Sequence, residues 1–151
     1  MPASEVRESL RMRYGAEDFA LGAEVKPESL LEALRTLRDA HGYRFYITGT
    51  AIDRDEEIEV LHGVRNLDSG DEFFVKVRLP RQAPEVASAA FQFAGAEWHE
   101  REVLDLFGVS FDSHPDPRRI LMPDAYEGHP LRKDFPMDTP WGYRPPTEKD
   151  A

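Results

Sequence analysis

The sequence contains no cysteine. That excludes disulfides, thiolate-held iron–sulfur clusters, cysteine-type zinc sites and a cysteine nucleophile. No apolar run approaches the ~20 residues of a membrane-spanning helix, and the N-terminus lacks the apolar centre of a signal peptide. Any membrane association is therefore expected to come through a partner. Glycine patterns that cradle phosphate are missing as well: Gly49 and Gly63 are isolated, with no G-x-G-x-x-G and no P-loop. Positive charge is in deficit. Nineteen Lys and Arg stand against 29 Asp and Glu, a net charge of −10. Such a surface repels nucleic-acid phosphates and anionic head groups, so neither nucleic acid nor direct membrane insertion is expected.

What is present suits one α+β domain. The chain has 151 residues, 40% of them apolar and nine of them Phe, enough to bury about 70% of the surface the unfolded form exposes. Residues 4–14 read as a short helix stopped by Gly15, and Phe19, Leu21 and Val25 as a weak strand. Pro27 opens the clearest helix, in which Leu30, Leu34 and Leu37 recur at helical spacing before Gly42 closes it. Strands are expected over 43–52, 57–67 (Ile58, Val60 and Val64 on one face) and 72–79, where Phe73, Val75, Val77 and Leu79 alternate with polar residues. Two helices should follow, over 84–94 and 97–107. The fold class is thus α+β, a small mixed, mainly antiparallel sheet with helices packed on one side. From Asp112 the texture changes, and eight of the twelve prolines fall in the last forty residues. The expected organisation is a domain over 1–111 and an extended proline-rich C-terminal arm over 112–151. That arm carries Ile120, Leu121, Met122, Tyr126, Leu131, Phe135, Trp141 and Tyr143, too many apolar groups for a pure linker. It should gain order by lying along the body and a partner.

Catalytic and metal patterns fail one by one. His99-Glu100 begins an H-E-x-x-H-like string, but Val103 stands where the second ligand belongs. His99, Glu102 and Asp105 drift around the helix instead of converging, and no Ser–His–Asp arrangement or G-x-S-x-G exists. Glu97, Arg101 and Asp105, each four residues apart, predict successive ion pairs along one helix face, with Trp98, Leu104 and Phe107 as the apolar side. The bland alternative is a solvated charged face. Arg118 and Arg119 suit bidentate contacts with carboxylates, local or on another chain. The residues themselves point to a binding module.

Two long motifs carry a resemblance. They are Glu100-Arg101-Glu102-Val103-Leu104-Asp105-Leu106-Phe107-Gly108-Val109, followed by Phe111, His114-Pro115, Arg118-Arg119-Ile120-Leu121 and Pro123, and then Glu127-Gly128-His129-Pro130-Leu131-Arg132-Lys133-Asp134-Phe135-Pro136. They resemble the signature of the respiratory-chain NADH dehydrogenase 30 kDa subunit family, the C-type subunit of NADH–quinone oxidoreductase (complex I). The similarity extends more weakly over residues 43–136, and departs at Ser113, Pro117, Tyr126 and His99. The resemblance implies a peripheral subunit on the cytoplasmic side of the membrane, packed against the 49 kDa-type subunit and neighbouring iron–sulfur subunits. It implies no cofactor on this chain, with FMN, iron–sulfur clusters and quinone belonging to partner subunits. The docking role falls on Glu100, Arg101, Glu102, Asp105 and Phe107 of the helix and on His114, Arg118, Arg119, His129, Arg132, Lys133 and Asp134 of the arm. An equivalent small subunit of an energy-converting hydrogenase, or of an NADH-independent quinone- or ferredoxin-linked complex, is the alternative. A free-standing enzyme using His99, Glu102 or Asp105 is a third.

Overall fold

The computed structural model describes residues 3–136. Helix α1 (Ala3–Tyr14) leads into the short strands β1 (Glu17–Phe19) and β2 (Gly22–Glu24). A single tight turn at Pro27–Ser29 starts α2 (Leu30–His41), and three longer strands follow: β3 (Phe45–Arg54), β4 (Glu57–Arg65) and β5 (Glu72–Pro80). The last regular elements are β6 (Glu85–Ala87), α3 (Ala96–Phe107) and β7 (Ser110–Asp112). The main sheet runs β1-β2-β5-β4-β3. Only the β2–β5 pairing is parallel, so the sheet is mixed and mainly antiparallel.

One face of this sheet carries the core. Phe73, Val75, Val77 and Leu79 of β5 pair with Val64, His62, Val60 and Ile58 of β4, and all point toward the helices. Leu30, Leu34 and Leu37 of α2 are fully buried in the same cluster. Gly42 ends α2 at φ 76°, and the Tyr43 N–H returns to the Leu37 carbonyl at 3.0 Å. This left-handed cap turns the chain so that the buried Tyr43 ring meets Phe73 edge-on, centroids 6.0 Å apart. The other face is polar. Lys76 bridges Glu24 (2.7 Å) and Glu59 (3.4 Å), and Arg54 holds Glu59 at 3.1 Å.

Ile58, Val60 and Val64 share the inward face of β4 as expected, and the residues between them are buried too, because the strand lies between β3 and β5 and ion-paired side chains cover its polar side. Two expectations need correction. Residues 84–94 form no helix. Glu85, Val86 and Ala87 instead pair in parallel with Ser110, Phe111 and Asp112, and turns follow. The helical tendency of PEVASAAFQFA yields because the Ala89 N–H and the Ser88 hydroxyl are claimed by a distant carboxylate, Glu100. Trp98 lies outside the core at 58% exposure, and the inward side of α3 is instead Ala96, Glu100, Val103 and Leu106. Of the expected arm, residues 113–136 contain neither helix nor strand, and residues 137–151 lie outside the described residues.

Candidate functional site

Helix α3 stops at Gly108, whose φ of 72° suits glycine, and its last carbonyls lose their intrahelical partners. The Gly108 N–H takes the Leu104 carbonyl at 2.9 Å. The arm supplies the rest. The Asp105 carbonyl accepts from Arg119 Nη1 (3.2 Å) and from His129 Nδ1 (3.0 Å), the Leu106 carbonyl from the Leu131 N–H (3.1 Å) and the Phe107 carbonyl from Arg132 Nε (2.6 Å). The arm is therefore the C-terminal cap of α3. Two guanidinium groups sit where the helix dipole favours positive charge. A Cβ on Gly108 would fall 2.5 Å from the His129 ring, so this close approach also requires glycine.

Asp105 is the centre of the junction. Its fully buried carboxylate accepts from Arg119 Nη1 (2.6 Å) and from three successive backbone N–H groups, Ile120 (3.1 Å), Leu121 (2.7 Å) and Met122 (2.8 Å). Burial pushes this carboxyl up, but the bonds from Met122, Arg119, Leu121 and Ile120 outweigh burial and hold it below the usual carboxylate range. Arg119 continues outward to the carbonyls of Tyr126 (3.0 Å) and Gly128 (3.1 Å), so the arm wraps around one guanidinium. Tyr126 is buried beneath it and stacks on Phe135, centroids 6.2 Å apart.

The predicted ladder of ion pairs along α3 does not form. Arg101 faces the arm instead, donating to the carbonyls of Arg118 (3.0 Å) and Arg119 (3.2 Å) and pairing with Asp116 (3.3 Å). Helical spacing brought the three charges onto neighbouring turns, but a returning segment offered better partners than one another. Nor is the face merely solvated, since Asp105 and Glu100 are 0% and 1% exposed.

Glu100 forms a second buried cluster. It accepts from the Ser88 hydroxyl (2.5 Å) and the Ala89 N–H (2.7 Å). Burial pushes its carboxyl up to about 7, against the lowering effect of those two bonds. His114 lies beside it, its Nε2 3.7 Å from Glu100 Oε2. The Asp116 N–H donates to His114 Nδ1 (3.0 Å), which assigns the ring proton to Nε2, where it meets the Glu97 carbonyl at 3.0 Å.

The remaining expected residues lie farther out. Glu102 is exposed, Phe107 is half-buried, and Arg118 is exposed with its guanidinium on Asp116 (2.7 Å). At the far end of the arm the Lys133 N–H donates to Asp53 at 2.9 Å, and Arg81 bridges Asp53 and Asp134 at 2.8 Å each. Asp53, Arg81 and Ser88 complete the junction and are absent from the sequence-derived set. Asp53 had a signal: it is a carboxylate at an inward position of β3, where an apolar residue is the rule. His99, Glu102 and Asp105 are not brought together. Among the described residues no group of three or more His, Asp or Glu side chains could hold a metal ion.

The family model described as "Respiratory-chain NADH dehydrogenase, 30 Kd subunit" matches residues 23–140. The C-type subunit of NADH-quinone oxidoreductase from Moorella thermoacetica is 42% identical over 135 residues, 88% of this chain and 90% of that one. Its counterpart from Citrifermentans bemidjiense is 40% identical over 119 residues, 77% of this chain and 74% of that one. Among solved structures, the trypsin-resistant fragment (1-134) of Nqo5 superposes with a TM-score of 0.67 at 30% identity, covering 77% of this chain and 99% of the fragment. A chain of the membrane-bound sulfane sulfur reductase, an archaeal respiratory membrane complex, gives a TM-score of 0.77 at 26% identity, covering 89% and 85%.

Proposed function

The chain belongs to the respiratory-chain NADH dehydrogenase 30 kDa subunit family, and on that premise we propose that it is a non-catalytic subunit of a proton-translocating NADH–quinone oxidoreductase. Its work is to hold partner subunits together in the arm of the complex that projects from the membrane. The partner of its α3–arm face is the 49 kDa-type subunit, beside the quinone-reducing region and next to iron–sulfur subunits. Flavin, clusters and quinone belong to those chains. No described helix is long and apolar enough to cross a membrane. We place the chain at the cytoplasmic side, held there through the complex.

The observation that carries this reading is how the arm is bound. Its backbone N–H groups, Arg119, His129 and the Arg132 Nε are used on the end of α3. Outward it turns Leu121 and Leu131, 58% and 52% exposed, among the exposed charges of Arg118, Asp124, Glu127, Lys133 and Asp134. An ordered loop whose backbone groups are already spent on its own helix, and which holds two leucines in water amid charges of both signs, is suited to be covered by a partner. The test is purification of the complex from membranes through a tag on this chain, with the co-purifying subunits identified by mass spectrometry. Flavin- and NADH-binding subunits together with the 49 kDa-type subunit are expected. Recovery of this chain alone would reject the reading.

One observation favours a second reading. The match to the sulfane sulfur reductase chain covers 89% of this sequence at the higher TM-score. An equivalent subunit of an NADH-independent respiratory complex would have the same architecture. The same purification separates the two, because the electron-donor subunits differ.

A further inference from the structure

The short strand β6 has one edge in use and one free. The Ser110 N–H donates to the Pro84 carbonyl (2.8 Å) and the Ser88 N–H to the Asp112 carbonyl (2.9 Å), so positions 84, 86 and 88 face β7. Alternation along the strand turns the N–H and C=O groups of Glu85 and Ala87 the opposite way. There they meet no hydrogen-bond partner among the described residues. They open on a groove of about 500 Å³ between β6 and the start of α2, with Pro27, Leu31, Val86 and Ala87 as its apolar lining. Its two walls are tied together. The Gln92 side-chain amide, from the turn after β6, donates to the Leu31 carbonyl of α2 (3.1 Å), and the Gln92 carbonyl accepts from Arg38 (3.1 Å).

The charges lining this groove are of one sign. Glu28, Glu32, Glu85 and Asp112 are all exposed there, and no Lys or Arg joins them. Glu32 is paired with Arg35 (3.2 Å), whereas Glu28, Glu85 and Asp112 have no ion-pair partner among the described residues. Glu24, Glu57 and Glu72 on the main sheet, by contrast, each hold a cation of this chain. Lys26 borders a different hollow, with Glu17 and Glu24. A free strand edge is matched in spacing by another extended backbone, and the unpaired carboxylates beside it select a basic one. We infer that the groove receives an extended, Lys- or Arg-bearing segment of a partner subunit, which adds to β6 along Glu85 and Ala87. Its basic side chains meet Glu28, Glu85 and Asp112, and an apolar one lies on Leu31 and Val86. Two copies of a chain of net charge −10 repel, which argues against a second copy as the occupant. The inference rests on the family reading, which supplies the partner subunits. Glu85 also borders the hollow beside Gly108, His129 and Arg132, so the groove adjoins the proposed α3–arm face, although Arg132 forms no ion pair with it.

The test is carboxyl footprinting with a water-soluble carbodiimide and glycine ethyl ester, on the full chain alone and on the intact complex. Labelling at Glu28, Glu85 and Asp112, read by mass spectrometry, should slow about tenfold on assembly, as expected where a partner excludes water. Hydrogen exchange at the Ala87 amide, which is unpaired in the isolated chain, should slow by about the same factor. Glu85→Lys, at an exposed position, should leave the isolated chain's Tm unchanged and lower its recovery in the complex about tenfold, because like charges then meet. Labelling in the intact complex at the isolated-chain rate overturns the groove and leaves the family reading standing. Protected carboxylates with an Ala87 amide that still exchanges freely overturn the strand addition. Absence of any co-purifying subunit overturns both the groove and the family reading. Protection that appears in the isolated chain as it forms a dimer on concentration assigns the groove to a second copy and also overturns the proposal.

Discussion

Beneath α2, the inward side of β5 consists of Phe73, Val75, Val77 and Leu79, none more than 1% exposed. Beneath the arm, the groups buried to the same depth on α3 include two carboxylates, Glu100 and Asp105. The first region gains stability in proportion to the apolar area it removes from water, and neighbouring side chains can substitute for one another there. The second depends on a small number of directional bonds, each of which leaves a desolvated partner behind when it is removed. One region is tolerant and additive, the other brittle and cooperative. An arm that keeps one shape without helix or strand has reason to be fixed by the second kind of interaction.

The largest expected effect tests that brittleness directly. Asp105→Ala strands Arg119 and three N–H groups at once. It should destabilise the isolated chain by about 3–5 kcal/mol in urea unfolding, more than truncation of a single β5 valine. Trypsin should then cut after Arg119 rapidly, whereas the wild-type chain resists at that bond. Equal loss from Val75→Ala and Asp105→Ala would erase the contrast.

A pH series comes next. The Glu100 carboxyl titrates at about 7 in the folded chain instead of 4.5, so the fold retains a proton that the unfolded chain has released. Its contribution is greatest below pH 4.5 and declines as pH rises to 7, by roughly 3 kcal/mol. His62 works in the opposite sense. Burial pushes it down to about 4, with the His99 charge adding, so stability is lost as pH falls from 6.5 toward 4. Over their shared range the two nearly offset each other. Glu100→Gln keeps the shape of the protonated acid, so relative to wild type it should gain about 3 kcal/mol between pH 4.5 and 7.5. A difference that stays constant with pH would mean that Glu100 is ionised in the fold.

Gly108→Ala should cost about 2 kcal/mol, from its left-handed backbone and from the His129 ring against the new methyl. Arg118→Ala and Glu102→Ala mark the small end of the scale. Both side chains are exposed, so isolated-chain stability should move by less than about 0.5 kcal/mol. Lower recovery of either variant in the intact complex would separate docking from folding, and unchanged recovery of both would remove them from the interface.

The tolerant region was the legible one. Leucines at helical spacing in α2 and the alternation of β5 are local periodicities, and they survive in the fold because the same residues make the core. The junction was read less well. The spacing of Glu97, Arg101 and Asp105 is a fact about α3 alone, whereas the partners of Arg101 and Asp105 come from a returning segment, residues 116–129. The strand tendency of 85–87 depends on β7, and the turn after it on Glu100; neither acts at a distance that a sequence window covers. Charged residues at such density were a fair signal that something binds there. Which residue binds which required the chain's return path.

The three N–H groups on Asp105 have a consequence for how this surface can vary. They belong to the backbone, so the grip is indifferent to which side chains stand at 120, 121 and 122, and those side chains can be exchanged to suit a different neighbour. Proline alone is forbidden there, because it has no N–H to give. Over residues 113–136 the arm places prolines at 115, 117, 123, 130 and 136, and none in that window of three. Mutational drift here would then be free in identity and strict in a single letter, which lets one scaffold be refitted to new complexes without being refolded.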